Sequence, residues 1–369
     1  MVNAVKIKDQ ISPLLDGLEK YLEHSTENEI LDDEESNFSV YFQVNNEEPI
    51  ALAKPSLALF HGDHLLYKQE SERIRLNRFA EVLNTEAFPR NKLNFNELLK
   101  AQRANKITPF IGAGASISAG CTSWHRYLET KANEVGVDEN EIKNHLEEGK
   151  LEELLDLILS QPRGDAFEFY FMQDFAHADP ERSYVWNFPD LFNSCVVTTN
   201  FDRVIEECYA KQGKSFTEKT VGLNEQHTFI KAITRGDKYL LKLHGNIDNP
   251  EFRVFTKAEY KRAYSRNEDQ LVDMEYPLPK MLSHLYRSHS FLFIGCSLDI
   301  DRTVKTFEMI FEHEDRKKVA DHYAIIEKPE NEDDFNELDQ RLMYCNIKPI
   351  WFDYQQYEKV EEIISLMVI

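Results

Sequence analysis

Residues 107–126, ITPFIGAGASISAGCTSWHR, join a short apolar run to a cluster of glycines and then to polar and aromatic residues. That order predicts a phosphate-binding turn. Ile107, Phe110 and Ile111 suit a buried strand, and the Ser/Ala-rich segment beyond Gly114 can begin a helix whose free N–H groups and positive dipole end face an anion. Gly112 and Gly114 would let the backbone approach a pyrophosphate that side chains would hold away. A Gly-Ala-Gly turn after a strand also occurs in α/β folds that bind no nucleotide. Three further motifs carry candidate chemistry: TTNFD with Asn200 and Asp202, HGNID with His244 and Asp248, and GCSLDID with Gly295, Cys296 and Ser297. Each has a plainer alternative. Asn200 and Asp202 can cap a helix beginning near Arg203. His244 before Gly245 can be a satisfied turn histidine, and Asp248 with Asn249-Pro250 reads as turn chemistry. Cys296 reads as a small packing residue, and nothing marks it as a reactive thiolate.

The elements that must position these residues are legible as alternating patterns. Residues 195–198, 239–243, 291–294 and 323–326 read as buried strands separated by helical segments, and 347–352 adds a fifth. With 107–111 they predict a Rossmann-like α/β fold, a parallel sheet with helices on both faces. Every polar motif follows a strand, and ligands in such sheets bind beyond the carboxyl ends, so the four motifs should meet in one crevice. Residues 127–175 read as helices separated at Gly136 and Gly149, with Leu151, Leu154, Leu155 and Ile158 forming a core stripe. A helical insertion over about 127–194 would then be a small domain able to cover a ligand.

Residues 1–93 look different and predict an N-terminal α+β appendage before a domain spanning 94–369. An acidic stretch from Glu23 to Glu48 contains no Lys or Arg. β-formers follow in 38–44 and 50–60, and helical spacing appears over 73–83 and 94–105. Residues 1–23 read as an amphipathic helix without the apolar core of a secretion signal. The appendage is a candidate for assembly or partner contact.

Composition narrows the function classes. The 369 residues are 42% hydrophobic and 12% aromatic, as in a folded protein, and the apolar runs are too short to span a bilayer. No membrane association is expected. Five cysteines, Cys121, Cys195, Cys208, Cys296 and Cys345, form no C-x-x-C pair, which argues against a disulfide framework or zinc ribbon and fits a cytoplasmic location. A net charge of −22 repels a phosphate backbone, so direct nucleic-acid binding is not expected.

In this order, strand-GAGAS, TTNFD, LHG and FIGCSL resemble the sirtuin-like fold, particularly its bacterial branch of NAD hydrolases from antiphage defence systems. The resemblance covers about 94–352. It implies that Gly112, Ala113, Gly114 and Ser116 hold the pyrophosphate of NAD, and that Gly295, Cys296 and Ser297 contact its adenosine half. It further implies that Asn200 orients the ribose or the attacking water, that Asp202 bonds the carboxamide and that His244 is the base. Breaking the nicotinamide glycosidic bond builds positive charge on the ribose, which a neutral imidazole, an amide and a carboxylate suit. No metal is required. Deacylating sirtuins carry two zinc-binding cysteine pairs in the small domain, whereas 127–194 contains no cysteine. Their G-I-P-D-F-R segment here reads GCTSWHR, with Trp124 a candidate for the aromatic that shields nicotinamide and core packing its alternative. The expected activity is hydrolysis of NAD to nicotinamide and ADP-ribose in abortive infection, restrained by assembly or a partner. The resemblance also implies a homo-oligomer and a possible HerA-type DNA-translocating ATPase partner. The rival readings are an NAD or ADP-ribose sensor without turnover and a divergent NAD-dependent deacylase.

Overall fold

The computed structural model describes residues 26–33, 39–42, 48–51, 54–176, 178–222, 231–232, 235–266, 271–298, 302–313 and 319–368. The helix expected over 1–23 lies outside them, as do Asp299 to Asp301 of the last motif. The chain divides into two compact units, Met1–Val82 and Leu83–Ile369.

In the first unit, strands β1 (Tyr41–Phe42) and β2 (Ile50–Ala51) pair antiparallel, and helices span Thr26–Asp32, Pro55–Gly62 and His64–Val82. The expectation of strand through residue 60 therefore fails at Pro55. Its fixed φ and missing N–H suit the first turn of a helix, and the Asp32 carboxylate accepts from both the N–H and the hydroxyl of Ser56, each at 2.7 Å. That local chemistry outweighs the β-formers Leu57, Leu59 and Phe60.

The second unit is built on seven parallel strands: β3 (Ile107–Ile111), β4 (Cys195–Thr198), β5 (Glu218–Val221), β6 (Tyr239–Lys242), β7 (Ser290–Ile294), β8 (His322–Glu327) and β9 (Ile347–Phe352). Their order is β5-β6-β4-β3-β7-β8-β9. Six of them lie within one residue of the stretches named from sequence. β5 was not foreseen because EKTV has neither an apolar run nor strict alternation, which an edge strand with a single partner can tolerate. β3 is central, so the loops leaving β3, β4 and β7 open side by side at one end of the sheet, with β6 next in line. Helices surround the sheet, completing the Rossmann-like α/β architecture. Residues 83–93 lie with this unit. There the Asn91 side chain donates to Leu83 O and Trp351 O, each at 2.7 Å, and accepts from Trp351 N–H.

The insertion is helical, with Trp124–Val135, Glu139–Glu147, Leu151–Ser160 and Phe167–Asp174 as its main helices. Gly136 ends the first in a left-handed turn, φ 87°. Leu154, Leu155 and Ile158 are fully buried among Leu128, Phe167 and Phe171, so the apolar stripe is core.

His322, at the start of β8, is fully buried against Tyr286, ring centroids 3.7 Å apart, and its Nδ1 accepts from Phe291 N–H at 3.1 Å. Burial pushes its pKa down to about 3. Between that value and the unfolded value near 6.5, only the unfolded chain binds the proton, so stability falls as pH drops through this window. At pH 5 the loss due to His322 should be about 2 kcal/mol. Urea midpoints measured at pH 7.5 and pH 5 should separate less in His322→Gln than in the parent, and equal separations would place the titration elsewhere.

Candidate active site

The loops after β3 and β7 meet backbone to backbone. Gly112 N–H donates to Ile294 O and Gly114 N–H to Gly295 O, both at 2.9 Å. A Cβ on Gly112 would lie 2.3 Å from Gly295 O, and one on Gly114 would lie 2.9 Å from Gly295 Cα. Gly295, at φ 68°, would bring its own Cβ within 2.4 Å of Ala115 N. These glycines are therefore required by one another. Glycine here is expected to allow close approach of a ligand, yet the Gly112 and Gly114 amides are committed to the neighbouring loop. Ala113 and Ser297 are the exposed members of the two loops, Ser116 is buried, and the Cys296 thiol sits 3.6 Å from Phe110 O as a packing group.

A chain of hydrogen bonds then places Asn200. Thr198, the last residue of β4, donates its hydroxyl to Ile111 O at 2.8 Å and accepts from Asn200 N–H at 3.0 Å. The buried Asn200 side chain donates from Nδ2 to Gly112 O and to Ser116 Oγ, each at 2.8 Å. TTNFD and GAGAS are thus one bonded unit. With both amide donor contacts directed at the glycine turn, Oδ1 is the atom of Asn200 suited to orient a hydroxyl or a water.

Asp202 is buried, and its Oδ1 accepts from Val204 N–H at 2.9 Å at the start of helix Val204–Lys211. Asp202 thus satisfies the first free N–H of the helix from one residue before its N-cap, Arg203, which itself makes no side-chain cap bond. The Asp202 backbone carbonyl receives Lys242 Nζ, which also donates to Glu206 Oε1 at 3.0 Å. Lys242 has a side-chain exposure of only 1%, and its role was missed from sequence. The available signal was a lysine in the apolar run YLLKL, because buried lysines occur almost always with a partner.

His244 follows β6 as Asn200 follows β4. Thr198 and Lys242 are register partners, and each functional candidate lies two residues beyond its member of that pair. The imidazole is buried, with Nε2 2.9 Å from Tyr264 Oη and Nδ1 3.5 Å from Tyr260 Oη. Desolvation pushes its pKa down to about 4, so the ring is neutral at pH 7. Both tyrosines come from the helix Lys257–Ala263 and its C-cap, which starts at a Thr256/Glu259 capping box. They were also missed, although Tyr260 and Tyr264 stand four apart on one helical face. Asp248 instead pairs with Arg203, and Asn246 Oδ1 accepts from Asp248 N–H and Asn249 N–H to form the turn.

Trp124 is half-buried in an aromatic group with Tyr127, Phe171, Phe175, Phe201 and Phe255, its ring 5.1 Å from that of Phe255. Phe201 belongs to TTNFD, and Ile247 of HGNID also joins this cluster, so the insertion is seated on the loops after β4 and β6. Ion pairs Arg302–Glu152, Arg253–Glu168 and Lys257–Glu153 link the same regions. A cleft of about 490 Å³ on the insertion is lined by Lys131, Arg163 and Tyr170 and lacks every residue of the four motifs. Burial pushes the Cys121, Cys195 and Cys208 thiols up to about 12, which removes their nucleophilic character at neutral pH. Among the described residues, no group of three His, Cys, Asp or Glu side chains is placed to hold a metal, and no helix is long and apolar enough to cross a membrane.

Lys242 supplies a direct test of how the TTNFD loop is held. Lys242→Met leaves the Glu206 carboxylate without its cation, which should cost about 3–5 kcal/mol. Adding Glu206→Leu should recover part of the loss in urea denaturation. A double variant less stable than the single one would show that the pair does not organise this loop.

Residues 194–350 match the SIR2-like domain family, a span containing TTNFD, LHG and FIGCSL, with GAGAS before it. The chain is 28% identical over 235 residues to "NAD(+) hydrolase ThsA" of Bacillus cereus (strain MSX-D12), covering 62% of this chain and 45% of that protein. It is 24% identical over 308 residues to the ThsA of Cytobacillus dafuensis, covering 74% and 54%. It is also 26% identical over 205 residues to "Defense-associated sirtuin 2" of Bacillus subtilis, covering 55% and 19%. The chain thus spans about half the length of the two hydrolases and about a fifth of the third relative. The span that matches the SIR2-like domain family holds the loops after β4, β6 and β7, which carry Asn200, His244 and Gly295.

Proposed function

We propose that this chain hydrolyses NAD to nicotinamide and ADP-ribose as part of an antiphage response. The observation that carries the reading is that a neutral, buried His244 and Asn200, whose amide is clamped to the glycine turn, each stand two residues beyond register partners at the ends of neighbouring strands. The names of the related hydrolases and defence-associated sirtuin support it.

In the proposed reaction, Asn200 Oδ1 orients the water or a ribose hydroxyl. Water adds to the anomeric carbon of the nicotinamide ribose, and the glycosidic C–N bond breaks with its electron pair leaving on nicotinamide. His244 takes the proton that water releases. Positive charge that develops on the ribose finds carbonyl and amide dipoles and the Asp202 carboxylate in a site with little water, where such dipoles act strongly. Asp202 Oδ2 is assigned to the carboxamide, and Trp124 to the wall beside nicotinamide. Gly112, Ala113, Gly114 and Ser116 form the pyrophosphate side, with Ala113 presenting the exposed edge, and Gly295, Cys296 and Ser297 the adenosine side. Regulation is assigned to assembly of a homo-oligomer or to a protein partner, with the N-terminal unit as the contact.

Purified chain incubated with NAD should release nicotinamide, and the release should not require an acetylated peptide. Asn200→Ala and His244→Ala should each lower the rate by about 10² to 10⁴-fold with the native circular dichroism spectrum retained. Peptide-dependent release would favour deacylation, and NAD binding without release would favour a sensor. A His244→Ala protein that cleaved NAD at the parent rate would remove the base assignment, and a single-chain mass in solution would remove self-assembly.

A further inference from the structure

His244 can act as a base only through a ring nitrogen that carries a lone pair toward substrate, and a neutral imidazole has one such nitrogen. The two nitrogens have different surroundings. Nε2 is 2.9 Å from the hydroxyl of Tyr264, a residue with no solvent exposure, and Tyr264 Oη is 3.5 Å from the hydroxyl of buried Thr303. Nδ1 is 3.5 Å from the hydroxyl of Tyr260, which is only half-buried and lies under the Arg302 guanidinium, 4.7 Å from its ring centre. One side of the ring faces Tyr264, which has no solvent exposure, and the other faces half-buried Tyr260 across a longer contact, the side that the proposed reaction assigns to substrate.

If Nε2 accepted from the Tyr264 hydroxyl, the ring proton would sit on Nδ1 and block the side assigned to substrate. If Nε2–H donates to Tyr264 Oη, the tyrosine hydroxyl can donate onward to Thr303 Oγ1, and Nδ1 keeps its lone pair. We propose that Tyr264, backed by Thr303, is a positioning residue that holds His244 in the Nε2–H tautomer and so leaves Nδ1 as the proton acceptor. The inference rests on the proposed base role of His244. When the proton from water arrives at Nδ1, the cation keeps its Nε2–H bond to Tyr264 Oη, now charge-assisted and stronger. No proton passes through Tyr264, which distinguishes this arrangement from a relay to bulk water. The hydroxyl orders the ring in the same way that a second partner orders a ligating or catalytic histidine elsewhere.

The test uses the full chain. Tyr264→Phe removes the acceptor while retaining the ring that packs against His244, and the kcat for nicotinamide release should fall about 10- to 100-fold, less than on losing the base outright. KM should stay within about twofold, since no contact to substrate is lost. Thr303→Val, which does not touch His244, should lower kcat in the same direction by a smaller factor. ¹⁵N imidazole spectra, with the His244 signals identified by their loss in His244→Ala, should show the proton on Nε2 in the parent and a shift toward Nδ1 in Tyr264→Phe. A Tyr264→Phe protein with parent kcat would overturn the proposal, as would a parent spectrum with the proton on Nδ1. If Tyr264→Phe does not fold, the parent spectrum decides. An active His244→Ala protein would instead defeat the base assignment beneath it, so the two failures are distinguishable.

Discussion

The loops after β3 and β7 touch along their backbones, and only glycine on both sides permits that contact. Gly112 and Gly114 hydrogen-bond to the end of β7 and to Gly295, and a methyl group on any of the three would overlap backbone atoms. This contact gives Asn200 its anchor. The carbonyl of Gly112 and the hydroxyl of Ser116 are presented at the one place where the Asn200 amide can donate to both. Loosening the glycine contact would therefore change the direction of an amide that belongs to another strand.

A second layer of constraint comes from charge and aromatic packing. Lys242 is withdrawn from water but is compensated by Glu206 and the Asp202 carbonyl, and this fixes the TTNFD loop from below. From the other side, Phe201, Ile247 and Phe255 are shared with the core of the helical insertion. Edge and tilted aromatic contacts of this kind add about 0.5–1.5 kcal/mol per pair beyond the area they bury, so the insertion and the loops should be stable together. The insertion is in this sense fixed to the loops that carry Asn200 and His244, and Trp124 joins them through Phe201 and Phe255.

The sheet was legible because parallel central strands are buried on both faces and read as short apolar runs, as β3, β4 and β7 do. β5 escaped because an edge strand needs no such run, and Pro55 turned expected strand into helix because a local start signal outweighs weak β propensity. The convergence of Asn200 with the glycine turn followed from the rule about strand ends. The reason for the glycines did not, since backbone contact between loops far apart in sequence leaves no periodic trace. Lys242 and Tyr264 were overlooked for a related reason. A lysine at a strand end and tyrosines in KAEYKRAY resemble solvent-facing residues until the partners Glu206, His244 and Thr303 are brought to them by the fold.

In the proposed reaction, a histidine kept neutral by burial is the base for NAD cleavage. The pH dependence of kcat/KM for nicotinamide release reports the base in the free enzyme, measured over the range in which circular dichroism shows the fold intact. Because burial places the His244 pKa near 4, protonation removes the base only below about pH 5, and kcat/KM should show no acid limb between pH 7.5 and 5.5. An acid limb centred near pH 6.5, the value of a solvated imidazole, would rule out a buried neutral His244 as the base, as would the absence of nicotinamide release at every pH.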